Sequence, residues 1–262
     1  MPEQEINLDD NIKIKNLDKS GMYSNLRSIA KDTLESYDKA KKDLKIQSNS
    51  VNNIIGAGMG GAGMPLISLQ NLLKDELTFP YVVSQDYILP EFANFNTVLI
   101  AISQSGKSEE IISQYYQARK KDLKIVVIGM GGKLIEMAII DGFPYFIYSS
   151  NVPARASFVF IFGSALAFLE NIGAISDDKR EALLESVDVI NKLNKNIEQN
   201  VPIKDNKAKR IALSLKNYIP VLYVEPPFSS LGSRFAKMLN ENAGMFALYN
   251  QFPELRHNEI MS

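Results

Sequence analysis

Five short apolar runs, rich in branched residues, alternate with longer mixed segments along the first part of the chain. Short, nearly unbroken apolar runs are typical of strands buried on both faces of a parallel sheet. The pattern therefore predicts an α/β fold with a doubly wound, parallel five-stranded sheet flanked by helices. The predicted strands are Val51–Ile55, Tyr81–Val83, Val98–Ile102, Ile125–Ile128 and Tyr145–Tyr148. The predicted helices between and after them are Ala62–Leu73, Glu109–Lys120, Lys133–Asp141 and Ala156–Leu169.

The pattern on either side of this block predicts the domain organisation. Before the block, about twenty polar residues without a clear period are followed by a predicted helix near Met22–Lys42. After it, a charged helical stretch covers Asp177–Gln199. We expect an N-terminal domain at 1–175, a helical linker at 176–205 and a partial second domain at 206–262. Because sheets usually have five or six strands, the second unit should be incomplete or complete itself on a neighbouring chain. Its predicted elements are Ala208–Lys216, Val221–Val224, Leu231–Asn242 and Phe246–Tyr249.

Composition excludes several chemistries. The 262 residues include no cysteine and one histidine, His257, so disulfides, thiolate sites and multi-histidine metal centres are excluded. The carboxylates match no metal-binding spacing, and we expect neither a metal nor another cofactor. A net charge of -1, with basic residues interleaved with acidic ones, argues against a nucleic-acid partner. The acidic start lacks a secretion signal and no apolar run suits a membrane span, so we expect a cytoplasmic protein with no membrane partner.

The first loop with a chemical meaning is the glycine-rich stretch 56–63, GAGMGGAG, after the first predicted strand. Glycines at a helix N-terminus let the backbone N–H groups approach an anion. The G-x-G-x-x-G spacing also fits a dinucleotide site, with Asp86 at the end of the second strand for the ribose. A third interpretation is that the glycines only permit a tight turn between strand and helix.

The second loop, SQSGKSEE at 103–110, follows the third predicted strand and opens a helix. Ser103, Ser105 and Ser108 surround one glycine at this helix N-terminus. Hydroxyl donors, backbone N–H donors and the positive helix end together predict a cradle for a phosphate dianion. A dinucleotide enzyme has no need of a second such loop. The plainer alternative is that Ser105 or Ser108 is a helix cap.

Six segments in order resemble the sugar isomerase (SIS) domain proteins, and among them the archaeal-type bifunctional phosphoglucose/phosphomannose isomerases. The resemblance runs from about residue 50 to the end of the chain. The segments are GMGGAG at 58–63, Tyr87 with Pro90, SQSGKS at 103–108, ARA at 154–156, NENA at 240–243 and PELRHN at 253–258.

The resemblance implies two SIS-type doubly wound units, with a flavodoxin-like sheet in the first, and a homodimer that binds a small sugar phosphate. It implies that Glu241 moves a proton between C1 and C2, that His257 opens the sugar ring, in its own or a neighbouring subunit, and that Arg155 stabilises the enediolate. Carboxylates and imidazoles suit such proton transfers. The implied phosphate-binding residues are Gly60, Gly61, Ser103, Ser105 and Ser108.

The sequence departs from the family pattern at several positions. Ala62 replaces a serine, which removes one hydrogen bond to phosphate, and Lys107 replaces an asparagine. Gly244 replaces the lysine after NENA. Family members also continue beyond the PELRHN segment into a helix with a further active-site lysine, so we expect a shortened or divergent member.

Two functions follow as hypotheses. The leading one is an aldose–ketose isomerase that interconverts glucose 6-phosphate, and also mannose 6-phosphate, with fructose 6-phosphate through a cis-enediol. The alternative is a catalytically silent phosphosugar-binding module, which Ala62 and the short C-terminus favour.

Overall fold

The computed structural model describes residues 7–46, 51–148, 152–176 and 179–261. Helices and strands alternate along most of the chain. The strands are β1 (Asn53–Gly58), β2 (Tyr81–Ser84), β3 (Thr97–Ser103), β4 (Lys124–Gly129), β5 (Tyr145–Ile147), β6 (Val221–Val224) and β7 (Leu248–Gln251). The helices are α1 (Asn11–Leu17), α2 (Met22–Asp43), α3 (Gly60–Leu72), α4 (Glu109–Lys120), α5 (Lys133–Asp141), α6 (Phe158–Asn171), α7 (Lys179–Ile197), α8 (Lys207–Leu215) and α9 (Ser229–Ala243). Short 3-10 turns lie at Ala154–Ala156, Glu254–His257 and Glu259–Met261.

The first five strands form one parallel sheet in the order β2-β1-β3-β4-β5, which confirms the predicted doubly wound, flavodoxin-like fold. The apolar strand residues divide by parity between two faces. Ile54, Val98 and Ile100 pack with α3 and α6, whereas Ile55 and Leu99 pack with α4 and α5. Both faces are therefore covered, which is why these strands read as unbroken apolar runs.

Helix α2 confirms the predicted leading helix and adds an outer layer over α6. Gly163 permits this close approach, since a Cβ there would lie 2.4 Å from the backbone oxygen of Thr33. A buried carboxylate, Glu170 on α6, accepts hydrogen bonds from the Tyr37 hydroxyl and from the Lys41 ammonium, which lies 2.6 Å away. The predicted charged helix is α7, and Arg180 joins it to Asp38 of α2 through two hydrogen bonds.

The first predicted strand begins too early in the sequence, and the glycine-rich stretch is not an eight-residue loop. Gly56 and Gly58 lie inside β1, and α3 begins at Gly60, so only Met59 connects them. The glycines serve close packing: a Cβ on Gly63 would lie 2.2 Å from the Gly58 backbone oxygen. A Cβ on Gly56 would lie 2.8 Å from the Tyr81 hydroxyl.

The predicted second unit contains one βαβ element. Strands β6 and β7 pair in parallel, with α9 between them in the chain and packed close enough that Gly232 contacts Val224. Val221 and Leu248 pair on the face that α9 does not cover and are 45% and 47% exposed. Strand β7 lies two residues later than predicted.

The N-terminal segment also differs from expectation. Residues 11–17 form α1, where the Asp10 side chain accepts a hydrogen bond from the backbone of Lys13 and caps the helix. In the described parts of the chain, no helix has the length and apolar character that crossing a membrane requires.

Candidate active site

A pocket of about 480 Å³ lies at the carboxyl edge of the sheet, between the loops that follow β1 and β3. The sheet order reverses between these two strands, and ligands of doubly wound folds bind at this position. The pocket is lined by Met59, Gly61, Ala62, Gln104, Ser105, Ser108, Met130 and Ala154.

The loop after β3 takes its shape from Gly106. This residue has φ +66°, and a Cβ on it would lie 2.2 Å from the Gly131 backbone oxygen. Its N–H donates to the Ser103 carbonyl at 3.2 Å, and its own carbonyl accepts from the N–H of Leu134 at 3.0 Å. The loop is therefore held against the next loop of the sheet before any ligand binds.

The serines of this loop are arranged around the N-terminus of α4. Ser103 is buried, and its hydroxyl lies 2.9 Å from that of Ser108. Ser105 is exposed at the pocket, and its Oγ accepts a hydrogen bond from the N–H of Lys107 at 3.2 Å.

The side chain of Ser108 does not cap α4 with a hydrogen bond. Ser108 occupies the N-cap position of α4, but its side chain accepts no capping hydrogen bond. Its hydroxyl instead pairs with Ser103 and lines the pocket. The backbone N–H groups of the first turn of α4 accordingly keep their capacity to bind an anion.

Of the residues implied to bind phosphate, Gly61, Ser105 and Ser108 line the pocket directly. Ser103 reaches it through its contact with Ser108, and Gly60 opens α3 with φ +51°. Ala62 lines the pocket where a serine was expected.

Arg155 links the pocket to the second unit. It follows Ala154, a lining residue, and its Nη1 donates to the backbone oxygen of Glu241 at 2.8 Å. Glu241 lies in the last turn of α9, and its carboxylate is exposed, with no hydrogen bond to any described residue. Gly244 then ends α9 in the left-handed conformation, φ +60°, which suits glycine better than the lysine expected from the family pattern.

His257 lies on the 3-10 turn after β7 and is exposed. It forms no hydrogen bond or ion pair with the part of the chain that the structure describes, and it does not line the pocket. The structure thus joins Arg155 to the Glu241 segment but does not bring His257 to them.

The residues of the dinucleotide interpretation have other contacts. Gly56 and Gly58 pack β1 against its neighbours, as described above. The Asp86 carboxylate accepts the N–H groups of Tyr87 and Ile88 at 2.5 and 3.4 Å, so it holds its own turn. The carboxylates of Glu110 and Glu109, together with partial burial, raise the pKa of Tyr87 at the same edge.

One polar residue that lines the pocket and one guanidinium contact of α9 were not predicted from the sequence. Gln104 lines the pocket and donates from Nε2 to the Val152 carbonyl at 3.2 Å. Its place between two serines of the loop was the available signal. Arg234 of α9 stacks over the Phe158 ring, 4.0 Å from its centroid, and nothing local in the sequence indicates that contact.

No metal site accompanies this pocket in the described ranges, where no three histidine or acidic side chains come together to hold an ion. The polar groups at the pocket are hydroxyl and backbone N–H donors, and beside it lie the Arg155 guanidinium and the segment that carries the Glu241 carboxylate.

Known proteins resemble this chain in sequence, and solved structures resemble it in fold. Residues 204–262 match the family model of the bacterial phospho-glucose isomerase C-terminal SIS domain. A bifunctional phosphoglucose/phosphomannose isomerase from Caldicellulosiruptor bescii is 31% identical over 244 residues, 92% of this chain and 71% of the relative. A protein of the same name from Thermoplasma acidophilum is 31% identical over 86% of this chain and 66% of its own length.

Among solved structures, the hypothetical protein TT0462 from Thermus thermophilus superposes with a TM-score of 0.71 at 18% identity. That match covers 97% of this chain and 66% of the other, and it supports the fold. From the sequence identity to the Caldicellulosiruptor protein and the length of the match, the chain belongs to the bifunctional phosphoglucose/phosphomannose isomerase family.

Proposed function

We propose that this protein is an aldose–ketose isomerase that interconverts glucose 6-phosphate, and also mannose 6-phosphate, with fructose 6-phosphate. The observation that carries the proposal is the hydrogen bond from Arg155 to the Glu241 backbone. It ties the segment with the expected proton-transfer carboxylate to the rim of a pocket built for an anion.

The phosphate end of the substrate would bind between β1 and β3. The hydroxyls of Ser105 and Ser108 and the N–H groups at the start of α4 are the donors on one side, and the Gly60–Gly61 backbone lies on the other. Ser103 fixes the Ser108 hydroxyl from below. Replacement of a serine by Ala62 removes one donor, worth about 1.5–3 kcal/mol for a hydrogen bond to a charged group.

The reacting carbons would lie toward Arg155 and α9. Glu241 takes the proton from C2 of the aldose, holds it while the cis-enediol forms, and returns it to C1 of the ketose. Proton return to either face of C2 yields glucose or mannose 6-phosphate. Arg155 uses one donor on the Glu241 carbonyl and keeps others for the enediolate oxygens.

Ring opening is the proposed role of His257. Because this residue is exposed and away from the pocket lining, we propose that it acts across a homodimer interface. Sedimentation or light scattering tests the dimer. The substrate also points to the cytoplasm, since membranes retain sugar phosphate dianions.

A coupled assay that detects conversion of fructose 6-phosphate to glucose 6-phosphate tests the function. The wild type should turn over, and Glu241→Gln should lose at least about 100-fold in rate. Glu185→Gln, an exposed glutamate on α7, is the matched control and should match the wild type. The isomerase proposal fails if the wild type is inactive or Glu241→Gln retains its rate.

The second candidate is a phosphosugar-binding module without turnover. It is favoured by the exposure of both Glu241 and His257 outside the pocket lining. In that case calorimetry detects fructose 6-phosphate binding that Ser105→Ala weakens, while the coupled assay detects no product.

A further inference from the structure

Arg234 on α9 is a second guanidinium close to the proposed site. It is half-buried, and its guanidinium carbon lies 4.0 Å from the centroid of the Phe158 ring. A guanidinium has five N–H donors. None of them forms a hydrogen bond or ion pair with a described residue, although removing such donors from water without a partner costs free energy.

Arg234 and Glu241 lie on the same side of α9. Seven residues correspond to almost two full helical turns, so the two side chains project in nearly the same direction. Burial lowers the pKa of Arg234, and the charge of the Glu241 carboxylate opposes this lowering in part. The two groups form no hydrogen bond or ion pair with each other, and neither side chain forms one with another described residue, so both keep free hydrogen-bonding capacity.

The contact with Phe158 brings Arg234 of α9 to the segment that carries Arg155. Phe158 is three residues beyond Arg155, across the junction of the 3-10 turn and α6. Neighbouring Ser233 and Lys237 contact Met64 of α3, the helix whose N-terminus lines the pocket. The guanidinium is held over the ring by a cation–π contact, which uses none of its N–H donors in hydrogen bonds to the described residues.

We infer that Arg234 is a further substrate-binding residue: its guanidinium donates to the oxygens at C1 and C2 that become anionic as the enediolate forms. This inference rests on the proposed function for the identity of those oxygens. Arg155 uses one of its donors on the Glu241 backbone. A second guanidinium would therefore add hydrogen bonds and positive charge to those that the remaining donors of Arg155 supply. The site would then recognise ligands with two separated anionic groups, a phosphate and an enediolate or carboxylate.

Two probes of equal length test this recognition by calorimetry. Arabinonate 5-phosphate carries a carboxylate where the enediolate forms, and arabinitol 5-phosphate carries an uncharged alcohol there. The wild type should bind the carboxylate probe at least about tenfold more tightly. Arg234→Met should remove most of this preference while its affinity for the alcohol probe stays within about twofold of wild type.

Lys39→Met is the matched control, because Lys39 also lies over a phenylalanine ring, that of Phe146 at 5.3 Å, but on α2. It should keep the wild-type preference. Arg234→Lys keeps the charge and packing volume if the methionine variant does not fold, and it should lose most of the preference because it lacks the planar fork.

The inference is overturned if the wild type shows no preference for the carboxylate probe, or if the folded Arg234 variants retain it. An inactive wild type in the coupled assay that still prefers the carboxylate probe through Arg234 contradicts the isomerase proposal alone. An active wild type whose Arg234→Met variant keeps the preference contradicts this inference alone.

Discussion

Gly106→Ala tests whether the loop after β3 is built by backbone contact with the neighbouring loop. The added Cβ would lie 2.2 Å from the Gly131 backbone oxygen and 2.9 Å from the Gly132 carbonyl carbon. Cβ atoms essentially never come within 3.0 Å of another atom, so the loops must separate by about 0.8 Å. Since both contacts are with backbone, no side-chain rotation relieves them.

The expected loss of stability has two parts. A left-handed backbone, here φ +66°, costs a residue with a side chain about 1–2 kcal/mol. Overpacking adds about 1–3 kcal/mol, and the lower entropy of the unfolded chain returns up to about 1 kcal/mol. We expect Gly106→Ala to lower the free energy of unfolding by about 2–4 kcal/mol.

Gly142→Ala is the matched control. Gly142 has φ +74° at the end of α5, but a Cβ there meets no atom within 4 Å. Chemical denaturation should show that Gly142→Ala lowers the free energy of unfolding by only about 1 kcal/mol. This variant should bind fructose 6-phosphate with wild-type affinity. Gly106→Ala should weaken that binding at least about tenfold, because the serine donors move. Equal stability losses in the two variants, or wild-type affinity in Gly106→Ala, would refute the reasoning.

Three further variants probe separate contacts. Ser108→Ala should weaken fructose 6-phosphate binding about tenfold by calorimetry, because a donor to a dianion is lost; a change under about twofold contradicts this. Lys41→Met should lower the free energy of unfolding by about 3 kcal/mol, because the buried Glu170 carboxylate loses its cation. A variant that denatures at the same midpoint as wild type would contradict this prediction. The hydrogen bond from Arg180 lowers the pKa of Asp38 in the folded protein. The pair therefore stabilises the fold fully above the unfolded pKa of 3.8, and this contribution is lost as the pH falls through the lower folded pKa. Arg180→Gln should therefore cost less than about 1 kcal/mol at neutral pH, and its difference from wild type should shrink in acid; a difference that grows in acid excludes the assignment.

The sheet could be predicted because its three central strands, β1, β3 and β4, are buried on both faces. The runs Val98–Ile102 and Ile125–Ile128 therefore consist of apolar residues, whichever helices they contact. The apolar pattern does not predict the order of the strands in the sheet. That order places the glycine and serine loops next to each other around one pocket.

The first strand was misplaced for a physical reason. Glycine is depleted in strands and enriched in turns, so Gly56 and Gly58 were interpreted as loop residues. These positions have no side chain because Tyr81 and α3 pack directly against them in the folded structure. The sequence near the glycines does not indicate which residues pack there.

The sequence predicted that the serine loop lies at the pocket, but it did not predict the contacts of the residues proposed for catalysis. The serines share one loop, so local spacing indicates their role. The contacts of Arg155 with Glu241, and of Arg234 with Phe158, join residues distant in sequence. Such pairs follow from the packing of α9 against the first unit, which no local pattern specifies.

The most direct test of the isomerase account is deuterium incorporation from D₂O into fructose 6-phosphate and its products, followed by NMR. Proton transfer through an exchangeable Glu241 carboxylate predicts deuterium at C1 of the ketose and at C2 of glucose and mannose 6-phosphate. The rate should fall about 10²–10⁴-fold in Glu241→Gln and stay unchanged in Glu185→Gln. A wild-type protein that binds the sugar phosphate without incorporating deuterium, or Glu241→Gln that incorporates it at the wild-type rate, would contradict the account.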